Sequence, residues 1–390
     1  MSVFSGATAI VGIGATEFSK ESGRSELQLA CEAVTAAIAD AGLRPSDVDG
    51  MVTFTAETSA EIHVARNVGI GDLSFFSRVP HGGGAAAGTV VHAAAAIHAG
   101  LADVVVCWRA FNERSGERYG LGQADRPMDT NADRAAYAWM TPFGLSTPAQ
   151  WVGMFARRYM HEYGATSEDF GQISVIDRAR AATNPKAHFF GRPITLEEHQ
   201  GSRWIAEPLH LLDCCQETDG GQALVVVSAE RARDLPNVPA LVVGAAPGAG
   251  RDQHMMTSYY RPDISGIPEM GLVGDQLWAQ SGLRPSDMQA AVLYDHFTPF
   301  VLPQLEELGF CGRGEAAGFI RDGHLELDGS LPLNTHGGQL GEAYLHGMNG
   351  IAEAVRLVRG TSVNQPGDVR NVVVTAGTGV PTSGLVLGAA

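Results

Sequence analysis

The residues best suited to moving protons gather late in this chain of 390 residues. A tyrosine, an aspartate and a histidine follow one another at Tyr294, Asp295 and His296, where the apolar run 290–294 ends. A second group fills residues 334–350, where Asn334, His336, Tyr344 and His346 alternate with five glycines, Gly338 among them. Gly377 and Gly379 close a third short stretch. A phenol with its ordinary pKa of about 10 is an acid at ambient pH and needs polarising neighbours to act as a base, whereas an imidazole titrates near neutrality. The set therefore suits proton transfer rather than attack by a strong nucleophile. Glycine at this density lets backbone approach a ligand closely. It fits a tightly turned loop between core elements equally well, and residue types alone leave both readings open.

Such groups need a scaffold, and the scaffold is written twice. The phrase Gly-Leu-Arg-Pro-Ser-Asp occupies residues 42–47 and again 282–287. Copies so far apart exceed the ~20 to 50 residue period of a solenoid and point to a duplicated domain. Each copy follows a helical segment and precedes an apolar strand, 50–54 in one case and 290–294 in the other. Both halves then run through a glycine turn, a helix and a valine-rich strand. His81, Gly82, Gly83 and Gly84 open an alanine-rich helix at 85–99 that leads into strand 102–107; His336, Gly337 and Gly338 open the stretch leading to helix 349–359 and strand 368–375. The alanine helix has so little side-chain volume that it is expected deep in the centre. A strand at 7–14 and a helix at 25–41 begin the first half, 225–228 is its last strand, and 240–244 is the first strand of the second. The halves are thus read as residues 1–235 and 236–390, with the polar and aromatic segment at about 110–213 as an insertion that caps a site. Strands alternating with helices predict mainly parallel sheets covered on both faces. The first half's strand end, 51–55, carries no comparable proton-moving group and reads as inert.

Composition removes several function classes. The formal net charge of −16, with Lys and Arg scattered, argues against nucleic acid, and an anionic group such as coenzyme A would need local arginines, helix N-termini or a second protein. Cys31, Cys107, Cys214, Cys215 and Cys311 show no paired spacing beyond one adjacent pair, so a reduced, cytoplasmic protein is expected. The start of the chain lacks a basic region before an apolar stretch, and the most apolar region, 82–108, is broken by His92, His98, Gly100 and Asp103, so neither a leader nor a membrane span is expected. Gly12 and Gly14 begin a dinucleotide fingerprint without its third glycine. His92 and His98, six apart, do not share a helix face as i, i+4 would, and no metal is expected.

Four stretches, 10–16 (Ile-Val-Gly-Ile-Gly-Ala-Thr), 154–157 with 163–166, 212–220 (Leu-Asp-Cys-Cys-Gln-Glu-Thr-Asp-Gly) and 334–350, together with the repeated half-domain, resemble the thiolase superfamily. The likeness covers essentially the whole chain and is closest to the sterol carrier protein-type branch. It implies an α/β thiolase fold of duplicated half-domains in αβαβα layers, with two five-stranded mixed sheets and two buried central helices, working as a homodimer on acyl-coenzyme A thioesters.

The departures carry more information than the matches. The family's nucleophilic cysteine falls near Gly83 and its last cysteine near Thr375; its His-Pro-Leu-Gly base falls on Tyr344-Leu345-His346-Gly347, and its strand-end motif on Tyr294-Asp295-His296-Phe297. With no cysteine to acylate, Claisen condensation through an acyl-enzyme is excluded. Two phenols at catalytic positions suggest retro-aldol cleavage instead: a base takes the proton of a β-hydroxyl, the Cα–Cβ bond breaks to release a ketone, and an acid protonates the thioester enolate at Cα. This pattern resembles the cysteine-free lipid-transfer-protein aldolases of bacterial steroid side-chain degradation. That resemblance implies a 17-hydroxy steroid C22-type acyl-CoA as substrate, a 17-keto steroid (androstenedione-like) and propionyl-CoA as products, and a heteromeric complex with an OB-fold-domain protein. It needs no cofactor beyond the coenzyme A of the substrate. Tyr294 is cast as base and Tyr344 as acid, with the reverse left open. Asp295, His296 and His346 are neighbours that orient or polarise them, His296 being the alternative base. Asn334 and backbone N–H groups beside Gly83 or Gly379 are candidate donors to the enolate oxygen, and Gly83, Gly84, Gly338 and Gly379 are expected against the substrate. A catalytically silent acyl-CoA or lipid carrier, and a scaffold subunit for a partner enzyme, are the competing readings. A phenylalanine would fill a carrier's pocket as well as a tyrosine.

Overall fold

The structure, a computed structural model, describes residues 5–80, 82–116, 118, 137–138, 140–254, 256–377 and 382–390. Strands β1 (Thr8–Ala15), β2 (Gly50–Phe54), β3 (Phe75–Val79) and β4 (Val104–Asn112) are followed by a small hairpin, β5 (Trp204–Ala206) and β6 (Leu209–His210), and then by β7 (Asp219–Ser228). The later strands are β8 (Ala240–Gly248), β9 (Ala290–Val292), β10 (Asn371–Ala376) and β11 (Thr382–Ala389). Apart from the hairpin they form one nine-stranded sheet in the order β3-β2-β4-β7-β1-β8-β11-β10-β9.

This differs from two separate five-stranded sheets in two respects. The halves are stitched together where Ala9 pairs with Leu241 and Ile10 with Ala240. The strand that would match β3 is reduced to a single parallel bridge between Ala291 and Leu333. The next residue explains the truncation: Asn334 has φ of 43°, a left-handed conformation that turns the chain out of the sheet. The pairing is also less parallel than strand-helix alternation predicts. β2 runs parallel to β3 and β4, and β9 to β10, but β7 and β11 insert antiparallel. β10 and β11 are joined by a connection too short for a crossover, which dictates antiparallel pairing.

The repeated phrase folds the same way twice. Pro45–Asp47 and Pro285–Asp287 are 3₁₀ turns, each preceded by a left-handed glycine, Gly42 at φ 69° and Gly282 at φ 71°. In both, the Asp side chain accepts the Arg backbone N–H at 2.8 Å. Helix α1 (Glu26–Asp40) starts at Ser25, whose side chain accepts the Gln28 N–H. It lies so close to β1 that a Cβ on Gly12 or Gly14 would overlap the backbone at Ala37, so these glycines serve helix-strand packing. After α2 (Glu61–Val68) comes the alanine helix α3 (Ala86–His98), with Ala86, Ala87, Val90 and Ala93 fully buried against strands of both halves, the central position its composition predicts. Helices Pro148–Tyr163 and Ser167–Thr183 follow β4. They do more than cover a surface, because Phe155, Phe170 and Ile173 are fully buried in one core with Leu277, Phe300 and Leu305 from the second half. Among the described residues no helix is long and apolar enough to cross a membrane.

Candidate active site

Beyond Val292 the chain stays extended because its backbone groups are claimed from both sides. Asn334 Oδ1 accepts the Leu293 N–H and Thr375 Oγ1 the Tyr294 N–H, each at 2.9 Å. Gln304 closes this frame by donating to the Tyr294 carbonyl at 2.8 Å and accepting the Thr375 hydroxyl at 2.6 Å. Tyr344 arrives from the opposite wall, its N–H bonded to Thr218 Oγ1 at 2.9 Å. The two phenol oxygens meet 3.4 Å apart, and both rings are buried in a cluster with Phe111, Ala343 and Leu345.

Absent side chains make this meeting possible. A Cβ on Gly83 would overlap the Tyr294 hydroxyl and lie 2.7 Å from its Cζ, so any larger residue there would displace the phenol. A Cβ on Gly347, where φ is 87°, would lie 3.2 Å from Tyr294 Cδ2. One on Gly82 would lie 3.0 Å from His346 Nε2. The Tyr294 hydroxyl and His346 Nε2 therefore converge on one glycine turn.

His346 is held by a charged frame from the first half. Its ring stacks on Phe111 with centroids 4.9 Å apart and meets Tyr344 edge-on, also at 4.9 Å. Arg109 Nε donates to His346 Nδ1 at 3.2 Å. A guanidinium has only donors, so Nδ1 is the acceptor and the ring proton sits on Nε2. Arg109 is itself buried, with its guanidinium 4.1 Å from the Phe111 centroid and 3.0 Å from buried Glu57. The Glu57 carboxylate also accepts the Ala110 N–H at 2.9 Å and the Ser59 N–H at 3.1 Å.

Burial dominates the electrostatics. It pushes both phenols well above their ordinary pKa; Cys215 and Glu113 add to this, as does Asp295 at Tyr294 and the facing phenol at Tyr344. Both tyrosines are therefore neutral donors across the neutral range. Burial lowers His296 to about 3 and, aided by Arg109, drives His346 well below its usual value, so both imidazoles are neutral. Glu113 is raised well above a normal carboxyl by burial and then by Glu217, and among the described residues its Oε2 has no hydrogen-bond partner. The thiol beside the pair, Cys215, is raised well above its ordinary value by burial and then by Glu113; it is protonated and a poor nucleophile.

The remaining sequence-derived residues fall into two groups. His296 lies with the pair, 4.6 Å from the Tyr294 ring and parallel to Phe300. Gly84 packs beneath the turn, its carbonyl accepting the Ser383 hydroxyl at 2.6 Å, and a Cβ on Gly377 would overlap its backbone. Asp295 points away from the phenols. Its carboxylate accepts the Gln339 and Leu340 N–H groups at 2.8 and 3.0 Å, and Gly338 is glycine because a Cβ there would overlap Asp295 Oδ2. Asp295 and Gly338 thus brace the glycine block, and the carboxyl of Asp177, buried beside Asp295, is raised well above its ordinary pKa by burial and by that neighbour. Asn334 is likewise turned toward the backbone of β9 and this carboxyl pair. Gly379 lies outside the described residues. Among the described residues no group of three or more His, Cys, Asp or Glu is placed to hold a metal.

Family models described as thiolase N-terminal domain and thiolase C-terminal domain-like match residues 8–230 and 250–387. The chain belongs to the thiolase family. It is 80% identical over 389 residues to a steroid side-chain-cleaving aldolase of Thermomonospora curvata, with 100% of both chains covered. It is 66% identical over 388 residues to a 17-hydroxy-3-oxo-4-pregnene-20-carboxyl-CoA lyase of Mycobacterium tuberculosis, covering 99% of this chain and all of that one. A solved Ltp2-ChsH2(DUF35) aldolase superposes with a TM-score of 0.95 at 77% identity, covering 100% of this chain and 99% of its own.

Within this thiolase fold the residues missed by sequence reading are Glu57, Arg109, Glu113, Cys215, Thr218 and Gly347. One signal was available. Arg109 is a lone charge in the apolar run 104–111, and Arg109, Phe111 and Glu113 are spaced by two, the period of one strand face. The same spacing sends Ala110 into the opposite core and Asn112 toward Ser22 and Arg24. The strand end read as inert supplies Glu57 two residues beyond it, a long-range partner that no local pattern announces.

Proposed function

We propose that the chain is a carbon-carbon lyase that cleaves a 17-hydroxy steroid C22-type acyl-CoA by retro-aldol chemistry, releasing a 17-keto steroid and propionyl-CoA. The observation that carries this reading is the buried contact of two neutral phenols, 3.4 Å apart, with the Tyr294 hydroxyl in the space that any side chain on Gly83 would take. The activities named for the two similar relatives support the same substrate class.

The pair performs the reaction without a free charge on either ring. As the Cα–C17 bond breaks, the C17 hydroxyl proton passes to the Tyr294 oxygen, the Tyr294 proton passes to the Tyr344 oxygen, and Tyr344 delivers its own proton to Cα. One proton thus moves from oxygen to carbon, the C17–O bond becomes a carbonyl, and both phenols end as they began. Each phenol can both donate and accept, so their 3.4 Å contact can relay a proton in this order. His296 is a weak base at a pKa of about 3 and serves as a wall of the site.

On this reading the chain works as a homodimer in the cytoplasm, and its five cysteines, free thiols in the structure, suit a reducing compartment. It assembles with a DUF35 partner, as the composition of the similar solved aldolase suggests; that partner's OB-fold domain belongs to the same proposal, as does the use of no cofactor beyond the coenzyme A of the substrate. Incubation with a 17-hydroxy steroid acyl-CoA, with and without the partner, tests it. Release of free 17-ketone is expected; intact thioester under both conditions would favour a carrier.

A further inference from the structure

We infer that Thr375 with Gln304, and Thr218, are positioning residues for the proposed cleavage: their side chains grip the peptide groups of Tyr294 and Tyr344 and so set the contact between the two phenols. This rests on the function proposed above and names what places its two proton carriers.

Neither tyrosine is placed by the sheet. The ladder between β9 and β10 ends where Val292 pairs with Val374, short of Tyr294. Tyr344 stands in the glycine block, where a single parallel bridge pairs it with Glu217. A phenol oxygen lies at the far end of a long side chain, so an error in backbone placement reaches the reacting atom, and a misplacement of about 1 Å can cost about 10²-fold in rate. Side chains supply what the ladder does not. At Tyr294 the hydrogen bonds form a closed ring: the Tyr294 N–H donates to Thr375 Oγ1 at 2.9 Å, the Thr375 hydroxyl donates to Gln304 Oε1 at 2.6 Å, and the Gln304 amide donates to the Tyr294 carbonyl at 2.8 Å. The Gln304 amide also donates to the Phe300 carbonyl at 2.9 Å, which ties the ring to its own helix. At Tyr344 one residue does both tasks, since Thr218 Oγ1 accepts the N–H at 2.9 Å and its hydroxyl faces the carbonyl at 3.4 Å.

The two clamps are joined. Thr218 ends a short segment whose Cys215 N–H donates to the His296 carbonyl at 2.8 Å and whose Cys214 bridges to Phe297. That segment spans from the strand end that carries Tyr294 to the loop that carries Tyr344 and fixes the separation of their backbones. Gly83 and Gly347 then confine the Tyr294 ring, and the phenol oxygens come to rest 3.4 Å apart. Thr218, Gln304 and Thr375 are all buried, where an unpaired peptide group is costly, so each clamp holds its tyrosine firmly. Packing alone would be served by valine, which has the shape of threonine without the hydroxyl. The three side chains bond backbone and not the phenol oxygens; Tyr294 and Tyr344 remain the catalytic residues.

The test is a set of mutant cycles on the complex with the DUF35 partner, following ketone release. T375V and T218V should each lower kcat by about 10²-fold with KM changed by no more than about threefold, the pattern of a misplaced group that acts in the transition state. T375S and T218S keep the hydroxyl and should stay within about threefold of wild type in kcat. T375V/Q304M should be no worse than about the T375V level, because both changes open the same ring of bonds. A positioning residue falls silent once its tyrosine can no longer react: T375V should slow Y294F by less than about threefold, and T218V should slow Y344F as little. A merely structural role would multiply these losses. Wild-type kcat in both T375V and T218V, or multiplied losses in T375V/Y294F and T218V/Y344F, would overturn the inference. Q304M leaves both hydroxyls in place and should lower kcat by at least about tenfold. If neither valine variant folds, Q304M decides: wild-type kcat there overturns the inference. Inactive Y294F and Y344F beside fully active T375V and T218V sink this inference alone, whereas wild type that releases no ketone sinks the proposed function as well.

Discussion

Strands β2 and β9 hold equivalent places in the two halves and end in different chemistry. Each follows the same Pro-Ser-Asp turn, each runs parallel to a valine-rich inner strand, and each has an outer parallel neighbour. For β2 that neighbour is the five-residue strand β3; for β9 it is the single bridge at Leu333. Cutting the outer strand short frees the chain at Asn334 to turn inward and build the glycine block that presents Tyr344 and His346. Keeping it long leaves β2 to deliver one carboxylate, Glu57, onto Arg109. On the proposed mechanism one half handles protons and the other holds charge in place. The lesson is that duplication supplied two identical frames, and the loss of a few ladder hydrogen bonds in one of them made room for a catalytic loop.

The sharpest way to break this division is to remove single atoms from the second half. Y294F and Y344F delete only hydroxyl oxygens, and each should lower turnover by about 10²- to 10⁴-fold in a ketone-release assay while circular dichroism is unchanged. If both keep full turnover, the second half does not carry the chemistry.

In the first half the expected damage is to stability. E57Q leaves buried Arg109 without its counterion and should cost about 3–5 kcal/mol in denaturant unfolding. E113Q should behave in the opposite sense. The Glu113 pKa is raised in the folded state, so its ionised form destabilises the fold at any pH above the unfolded carboxyl value of about 4.3. E113Q should therefore melt higher than wild type at neutral and alkaline pH, and the gain should vanish as pH falls toward about 4. A gain that persists at that pH would show that ionisation is not its source.

At the seam between the halves, G83A places a methyl on the Tyr294 hydroxyl. Turnover should fall by about 10²-fold from misplacement of one group, with both phenols still present. The smallest effects belong to the repeat itself. D47A and D287A each remove one turn cap and should cost about 1 kcal/mol apiece, equally in both halves and without loss of turnover. Unequal costs would show that the two frames are not interchangeable.

How much of this could be read from the residues follows from distance along the chain. The repeat, the glycine turn, the alanine helix and the strands expected at 102–107 and 368–375 are local patterns; the helix stands where it was expected, and the two strands begin two and three residues later, at Val104 and Asn371. The antiparallel insertion of β7 and β11 depends on pairing choices that local alternation does not encode, and so does the missing outer strand. Tyr294 and Tyr344 stood out because thiolase positions fell on them; their contact across 50 residues is a tertiary fact. Asp295 attracted notice as a charge next to a catalytic candidate, yet adjacent residues on an extended chain face opposite ways, and it braces the loop instead. Arg109 and His346, 237 residues apart, were beyond any spacing rule.

The central claim is that the phenol pair carries a proton from the C17 hydroxyl to Cα with no covalent enzyme intermediate. Cleavage of the steroid thioester in D₂O, followed by mass spectrometry of the thioester product and of the protein during turnover, tests it directly. The account predicts propionyl-CoA carrying a single deuterium at Cα, an unmodified protein, and labelled product formed about 10²- to 10⁴-fold more slowly by Y294F and Y344F. An acylated protein, or labelled product at the wild-type rate from both Tyr→Phe variants, would contradict it.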